Sequence, residues 1–176
     1  MPVTLPPTLV IGGARSGKSR HAEALARASG LDRLYLATAT GWDDEMRDRI
    51  AKHRETRAAD GWHTVEEPLA LAEALRREAA PTRVVLVDCL TLWLTNVMLG
   101  EMDLAGETEA LLAAAGRTRG QVFYVSNEVG LSIVPDNVLA RRFRDEAGRL
   151  NRLMAARADR VTMLFAGLPL QLKPLP

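Results

Sequence analysis

Cysteine is almost missing from this chain: Cys89 is the only one in 176 residues. No intrachain disulfide framework can form, and a reducing compartment is the expected setting. An excess of charge is missing as well, with 23 Lys plus Arg against 22 Asp plus Glu and a net charge of +1. No global field would hold the chain on nucleic acid or an anionic membrane, so any phosphate site has to be local. Aromatic residues make up only 5%, and no apolar run reaches the roughly 20 residues that a bilayer crossing takes. Membrane insertion is not expected. The opening Met-Pro-Val-Thr-Leu-Pro-Pro lacks the positive end, apolar stretch and small-residue cleavage site of a secretion signal, and a cytoplasmic protein is expected. Repeats, low-complexity tracts and blocks of like charge are absent too, so residues 1–176 are expected to form one domain with frayed ends at the Pro-Pro pair and at Lys-Pro-Leu-Pro.

What is present alternates. Short apolar runs rich in β-branched residues fall at Thr8 to Ile11, Leu34 to Ala37, Val84 to Val87, Val122 to Val125 and Val161 to Phe165. Helical patterns lie between them: Lys18 to Ser29, stopped by Gly30; Asp43 to Thr56, opened by a capping Asp; Leu69 to Ala79; and Val138 to Ala158 after Asn137. Segment 90–118 also reads as helical, with breaks near Gly100 and Gly106. Strands alternating with helices predict an α/β fold with a mostly parallel central sheet covered on both faces.

Directly after the first strand comes Gly12, Gly13, Ala14, Arg15, Ser16, Gly17, Lys18 and Ser19, which fits G-x-x-x-x-G-K-[ST] between a strand and a helix. Glycines let backbone N–H groups curl round phosphate oxygens, and the helix start adds positive potential there. Lys18 is placed to reach the β and γ phosphates, and Ser19 to offer Mg²⁺ a hydroxyl ligand. Val84-Val85-Leu86-Val87-Asp88 reads as a buried strand ending in an acid. Two roles remain open for Asp88: orienting Mg²⁺, or capping the helix that begins near Leu90. A guanine-reading Asn-Lys-x-Asp element is missing, since Ser126-Asn127-Glu128-Val129 does not supply it, and this argues against a regulatory GTPase.

On the second helix Met46, Ile50 and His53 stand at i, i+4 and i+7, with Arg49 and Arg57 one turn to either side of the imidazole. Two nearby guanidiniums disfavour imidazolium and can hold a triphosphate, which makes His53 a candidate nucleophile. The other reading is a half-buried helix residue with solvating arginines. His21 and His63 have no metal-ligand partner at a useful spacing. Glu128 either contacts metal or substrate or caps a turn before Gly130. Arg141, Arg144 and Asp145 grip a phosphate, complete a neighbouring subunit's site or form an exposed face.

The order of these elements is distinctive: the phosphate loop, Ala37-Thr38-Ala39, Asp43-Asp44-Glu45-Met46, Arg49 to Arg54 around His53, and Trp62 ahead of Glu66. It continues through Val87-Asp88-Cys89-Leu90-Thr91, Ser126 to Gly130, Ile133-Val134-Pro135 and Arg141 to Asp145 as far as Gly148 and Asn151. From about Thr8 to Lys173 the sequence resembles the bifunctional adenosylcobinamide kinase / adenosylcobinamide-phosphate guanylyltransferase family of cobalamin biosynthesis. Ala58, Ser132 and Arg152 depart from the family's usual Pro, Gly and Gln.

The resemblance implies a three-layer P-loop NTPase fold, usually assembled as a homotrimer. It implies phosphorylation of adenosylcobinamide with ATP or GTP, then transfer of GMP from GTP to adenosylcobinamide phosphate through a guanylylated histidine, here His53. The family's nucleotide contacts fall on Gly12 to Ser19, on Ala37, Thr38 and Ala39, on Arg54, Glu55, Thr56 and Arg57, and on Glu66 and Asp88. Ser19 and Asp88 would hold Mg²⁺. The competing expectations are a small-metabolite kinase with a purely structural His53, and a nucleotide-gated switch that consumes no cobinamide.

Overall fold

The computed structural model describes residues 7–41 and 44–174, apart from the side chains of Glu45, Met46, Arg47, Arg49 and His53. In chain order the elements are β1 (Thr8–Gly12), α1 (Lys18–Ala28), β2 (Asp32–Ala37), α2 (Asp44–Ala59), β3 (Trp62–Glu66), α3 (Leu71–Glu78) and β4 (Arg83–Asp88). They continue with α4 (Leu90–Leu99), α5 (Leu104–Ala115), β5 (Gln121–Asn127), α6 (Val138–Arg157), β6 (Arg160–Phe165) and β7 (Leu168–Lys173). The strands make one seven-stranded sheet in the order β3-β2-β4-β5-β1-β6-β7. All neighbours are parallel except β7, which runs antiparallel to β6.

Right-handed crossovers dictate which helix covers which face. From β1 the chain steps outward to β2 and then β3, which puts α1 and α2 on one face. It then returns through β4, β5 and β6, which puts α3 to α6 on the other. The core follows this division. Leu71, Leu75, Leu90, Trp93, Leu94, Leu111, Leu150 and Met154 pack on the four-helix face with Leu9, Leu36, Val85 and Val87. Ala22 and Ala26 of α1 pack on the other face with Val10, Tyr35, Leu86, Val125 and Leu164. Among the described residues no helix is long and apolar enough to cross a membrane.

Two strands were not expected from the sequence. β3 is an edge strand of mixed polarity in which Trp62 is buried and His63 exposed, and Trp62 packs edge-on to Tyr35 at 5.8 Å between ring centroids. β7 carries Pro169 on the opposite edge, where a missing N–H is tolerated. Its last residue, Lys173, pairs with Val161, so Lys173 belongs to the sheet and not to a frayed end. The break expected near Gly106 is corrected: α5 starts at Leu104 and runs through Gly106, since one glycine costs a helix only about 1 kcal/mol, and the Asp103 side chain lies close by, 2.6 Å from where a Cβ would stand. Only Gly100 interrupts segment 90–118 as a break, followed by Glu101 at φ 52. α2 extends past Thr56 to Ala59, and the capping Asp43 expected for it lies outside the described residues. Asn137 does cap α6, accepting from Ala140 N–H at 3.1 Å.

Gly120, just before β5, is required by close approach. A Cβ there would lie 2.3 Å from the Ala80 carbonyl oxygen. Gly120→Ala is therefore expected to cost about 1–3 kcal/mol through overpacking, read as a lowered urea midpoint with an unchanged slope.

Candidate nucleotide site

β1 ends at Gly12, where a Cβ would meet the Leu164 carbonyl oxygen and Ser16 Oγ, each at 2.6 Å. Only glycine lets the loop leave the sheet this close to β6. The loop closes at Gly17, whose φ of 92 suits glycine, and α1 begins at Lys18. No side chain caps α1 and its first turn holds no acid, so its leading N–H groups and positive end remain available to an anion. Lys18 Nζ lies back on the loop, donating to the Gly13 carbonyl at 3.2 Å. Among the described residues the buried Ser16 Oγ has no hydrogen-bond partner, and Arg15 holds a left-handed φ of 55. Gly13, Ala14 and Ser19 complete the turn and the first helical residues.

Register assembles the rest. Ala37 at the end of β2 stands opposite Asp88 of β4 on one side and Glu66 of β3 on the other. Side chains alternate along strands, so Glu66, Ala37 and Asp88 share the α1/α2 face at the carboxyl edge of the sheet. That edge is where open α/β sheets bind ligands. α1 packs over β4.

Asp88 does not cap α4: Cys89 occupies the cap position with no side-chain cap. Instead, Asp88 Oδ2 accepts from the Tyr35 hydroxyl at 2.6 Å. Thr38 is buried, and its hydroxyl is spent on Cys89, donating to the carbonyl at 2.7 Å and accepting from the N–H at 2.8 Å. Asn96 Nδ2 donates to the Thr38 carbonyl at 2.8 Å. Thr38 therefore forms the wall of the site, with half-buried Ala39 next to it. Burial pushes the Cys89 thiol up, which keeps it protonated.

From α2, Arg54 pairs with Glu66 at 3.4 Å on the surface, and the Arg57 guanidinium lies 3.8 Å over the Tyr35 ring. Among the described residues Arg57 Nε, which is buried, has no hydrogen-bond partner. Glu55 is exposed, and Thr56 turns its hydroxyl to the Lys52 carbonyl at 3.0 Å. His53 lies on α2 one turn before Arg57; its side chain, like those of Met46 and Arg49, is outside the described residues.

Beyond the loop, Glu128 N–H donates to the Gly12 carbonyl at 3.0 Å, and its Oε1 accepts from Gly130 N–H at 2.7 Å. Glu128 thus caps the turn. Arg141 braces the following loop through the Pro135 and Asp136 carbonyls at 2.9 and 2.7 Å, while Arg144 and Asp145 pair with each other at 3.4 Å. Leu131, Ile133, Val134, Val138 and Leu139 are exposed along this loop and the start of α6.

Sequence reasoning missed Glu23, one turn after Ser19 on the same side of α1. Burial raises its pKa above 4.5; Arg27 opposes that, and the charge of Asp88 adds to it. The folded state therefore holds the proton more tightly than the unfolded chain. The stability this gives is complete below 4.5 and lost as pH rises through the folded value. Glu23→Gln should gain stability relative to the parent as pH climbs from about 4 to 7, measured as a growing difference in melting temperature.

The donor set suits Mg²⁺, which takes hard oxygen ligands and leans on substrate phosphates instead of a full protein cage. Ser19 supplies a hydroxyl and Asp88 a carboxylate whose Oδ1 accepts no hydrogen bond among the described residues. No group of three or more His, Cys, Asp or Glu converges among the described residues.

Comparison with solved structures shows the fold. The chain is similar to the RadB recombinase, with a TM-score of 0.52 at 17% identity over 90% of this chain and 73% of that one. It is also similar to an ATPase from the type III secretion system of pathogenic bacteria, with a TM-score of 0.51 at 13% identity, covering 91% of this chain and 51% of that one. These neighbours fit the α/β P-loop NTPase architecture.

Comparison with curated sequences goes further. The chain is 55% identical over 170 residues to the bifunctional adenosylcobalamin biosynthesis protein CobP of Pseudomonas aeruginosa, covering 96% of this chain and 98% of that one. It is 42% identical over 180 residues to the bifunctional adenosylcobalamin biosynthesis protein CobU of Escherichia coli, covering 94% and 98%. The family described as cobinamide kinase / cobinamide phosphate guanyltransferase matches residues 8–172. With a phosphate loop, a carboxylate row and relatives along nearly its whole length, this chain belongs to the cobinamide kinase / cobinamide phosphate guanyltransferase family of enzymes.

Proposed function

We propose that this chain, working as one catalytic domain, phosphorylates adenosylcobinamide with ATP or GTP and then transfers GMP from GTP to the new phosphate through a guanylylated His53. The observation that carries this reading is the phosphate loop opening beside the Glu66–Ala37–Asp88 row, with α2 lying alongside. The family's described activities and the place of His53 on α2 support it.

In the kinase step Lys18 leaves the Gly13 carbonyl for the β and γ oxygens, and loop N–H groups and the start of α1 neutralise the rest. Ser19 and Asp88 would hold Mg²⁺, which would screen phosphate charge when bound. The substrate hydroxyl attacks phosphorus in line, so catalysis here is mostly positioning and electrostatics.

In the transfer step a neutral imidazole nitrogen of His53 attacks the α-phosphorus of GTP, forming a P–N bond and releasing pyrophosphate. An oxygen of adenosylcobinamide phosphate then displaces the imidazole, giving the GDP-linked corrinoid. Residues at 37–39, Arg54 to Arg57 and Glu66 are read as nucleotide contacts.

A cytoplasmic homotrimer is part of the same reading. The exposed run Leu131, Ile133 and Val134 is the kind of apolar surface that subunit contact covers, and the lone Cys89 suits a reducing compartment.

Mass spectrometry of the corrinoid after incubation with GTP and Mg²⁺ tests the proposal. Successive gain of phosphate and then GMP is expected. Phosphate alone would reduce the protein to a simple kinase, and an unchanged corrinoid despite nucleotide binding would make it a switch.

A further inference from the structure

Tyr35 has a connection that the activities above do not require of a core aromatic. Its ring is buried at 6% exposure; the Trp62 edge meets it at 5.8 Å, and the Arg57 guanidinium covers it at 3.8 Å. A buried phenol usually finds a hydrogen-bond partner. Here the acceptor is Oδ2 of Asp88, at 2.6 Å, and among the described residues that carboxylate has no other hydrogen-bond partner. Tyr35 therefore touches the two parts of the site that come from distant stretches of sequence, the carboxylate at the end of β4 and the helix that carries His53.

We propose that Tyr35 is a positioning residue for the kinase step, its hydroxyl fixing the Asp88 carboxylate so that Oδ1 is presented to the cation, and its ring seating α2 through Arg57. The inference rests on the reading of Asp88 as a Mg²⁺ ligand. A carboxylate free to rotate offers a cation two equivalent oxygens in many orientations. One held at Oδ2 by a rigid buried ring offers a single oxygen in one orientation. Outer partners of this kind orient ligands to hard cations much as they do for other metals, and their loss typically costs 10–100-fold in metal affinity. The hydrogen bond also withdraws some charge from the carboxylate, so its gain is in geometry and not in raw attraction.

Tyr35→Phe removes one oxygen and keeps the ring against Arg57 and Trp62. With a non-hydrolysable GTP analogue bound, Mn²⁺ affinity can be followed by the loss of free-ion EPR signal and compared with Asp88→Asn. The expected result is Mn²⁺ binding weakened about 10-fold or more in Tyr35→Phe, a Mg²⁺ requirement for phosphorylation shifted by a similar factor, and a maximal rate at saturating Mg²⁺ that falls much less. Metal-free binding of the analogue should match the parent. If Asp88→Asn loses Mn²⁺ while Tyr35→Phe binds it as the parent does, Tyr35 only fills the core and the inference is wrong. If Asp88→Asn also binds Mn²⁺ normally, the reading of Asp88 falls, and the role of Tyr35 falls with it.

Discussion

Lys18→Ala should leave a folded protein with phosphoryl transfer reduced by about a thousandfold or more, in line with the loss of a preorganised charge at the transition state. Folding should survive because the side chain is half-buried and its one hydrogen bond, to the Gly13 carbonyl, is local to the loop. The loop's shape depends on Gly12 and Gly17, which the substitution leaves alone. The loss should therefore be mainly in kcat, with a smaller change in nucleotide affinity, because loop N–H groups and the start of α1 still bind phosphate. Guanylyl transfer should fall as well, since departing pyrophosphate rests on the same loop. Steady-state assays of both half-reactions, together with a melting curve, check this.

His53→Ala should divide the activities instead of weakening both. Phosphorylation of adenosylcobinamide forms no covalent enzyme species, so its rate should stay within a few-fold of the parent, whereas GMP transfer should drop to background. No other residue replaces a lost nucleophile. His21 lies on α1, and His63 is exposed on the edge strand β3. Stability should change little, because position 53 lies inside α2 and Ala is the strongest helix former. A variant that loses both activities would instead mark His53 as a structural residue.

How much of this was legible in the sequence follows from distance along the chain. Gly12 to Ser19 could be read directly because phosphate binding there is a local matter of turn, backbone N–H groups and helix start. Five of the strands announced themselves through short apolar runs, four of them carrying β-branched residues. β3 and β7 did not, because edge strands need only one covered side and carry polar residues or proline. The row of Glu66, Ala37 and Asp88 depends on register between three strands, which no single segment encodes. For the same reason Asp88 remained open between cap and metal ligand until its partner proved to be Tyr35, 53 residues away in sequence. Glu23 was hidden because an acid on an amphipathic helix looks like an ordinary surface residue until its neighbours are known. Pattern alone leaves Arg141 as a phosphate grip, part of a neighbouring subunit's site or an exposed residue, whereas it braces a loop, since backbone carbonyls as partners leave no trace in side-chain patterns.

The most direct measurement of the two-activity account uses the wild-type protein, Mg²⁺ and GTP labelled at the α-phosphate, without acceptor. The account predicts label bound to the protein, lost in acid and kept in alkali as a P–N bond requires, and discharged onto the corrinoid when adenosylcobinamide phosphate is added. Protein that remains unlabelled while the GDP-linked corrinoid accumulates would contradict it, because transfer would then pass from GTP to the acceptor with no histidine in between.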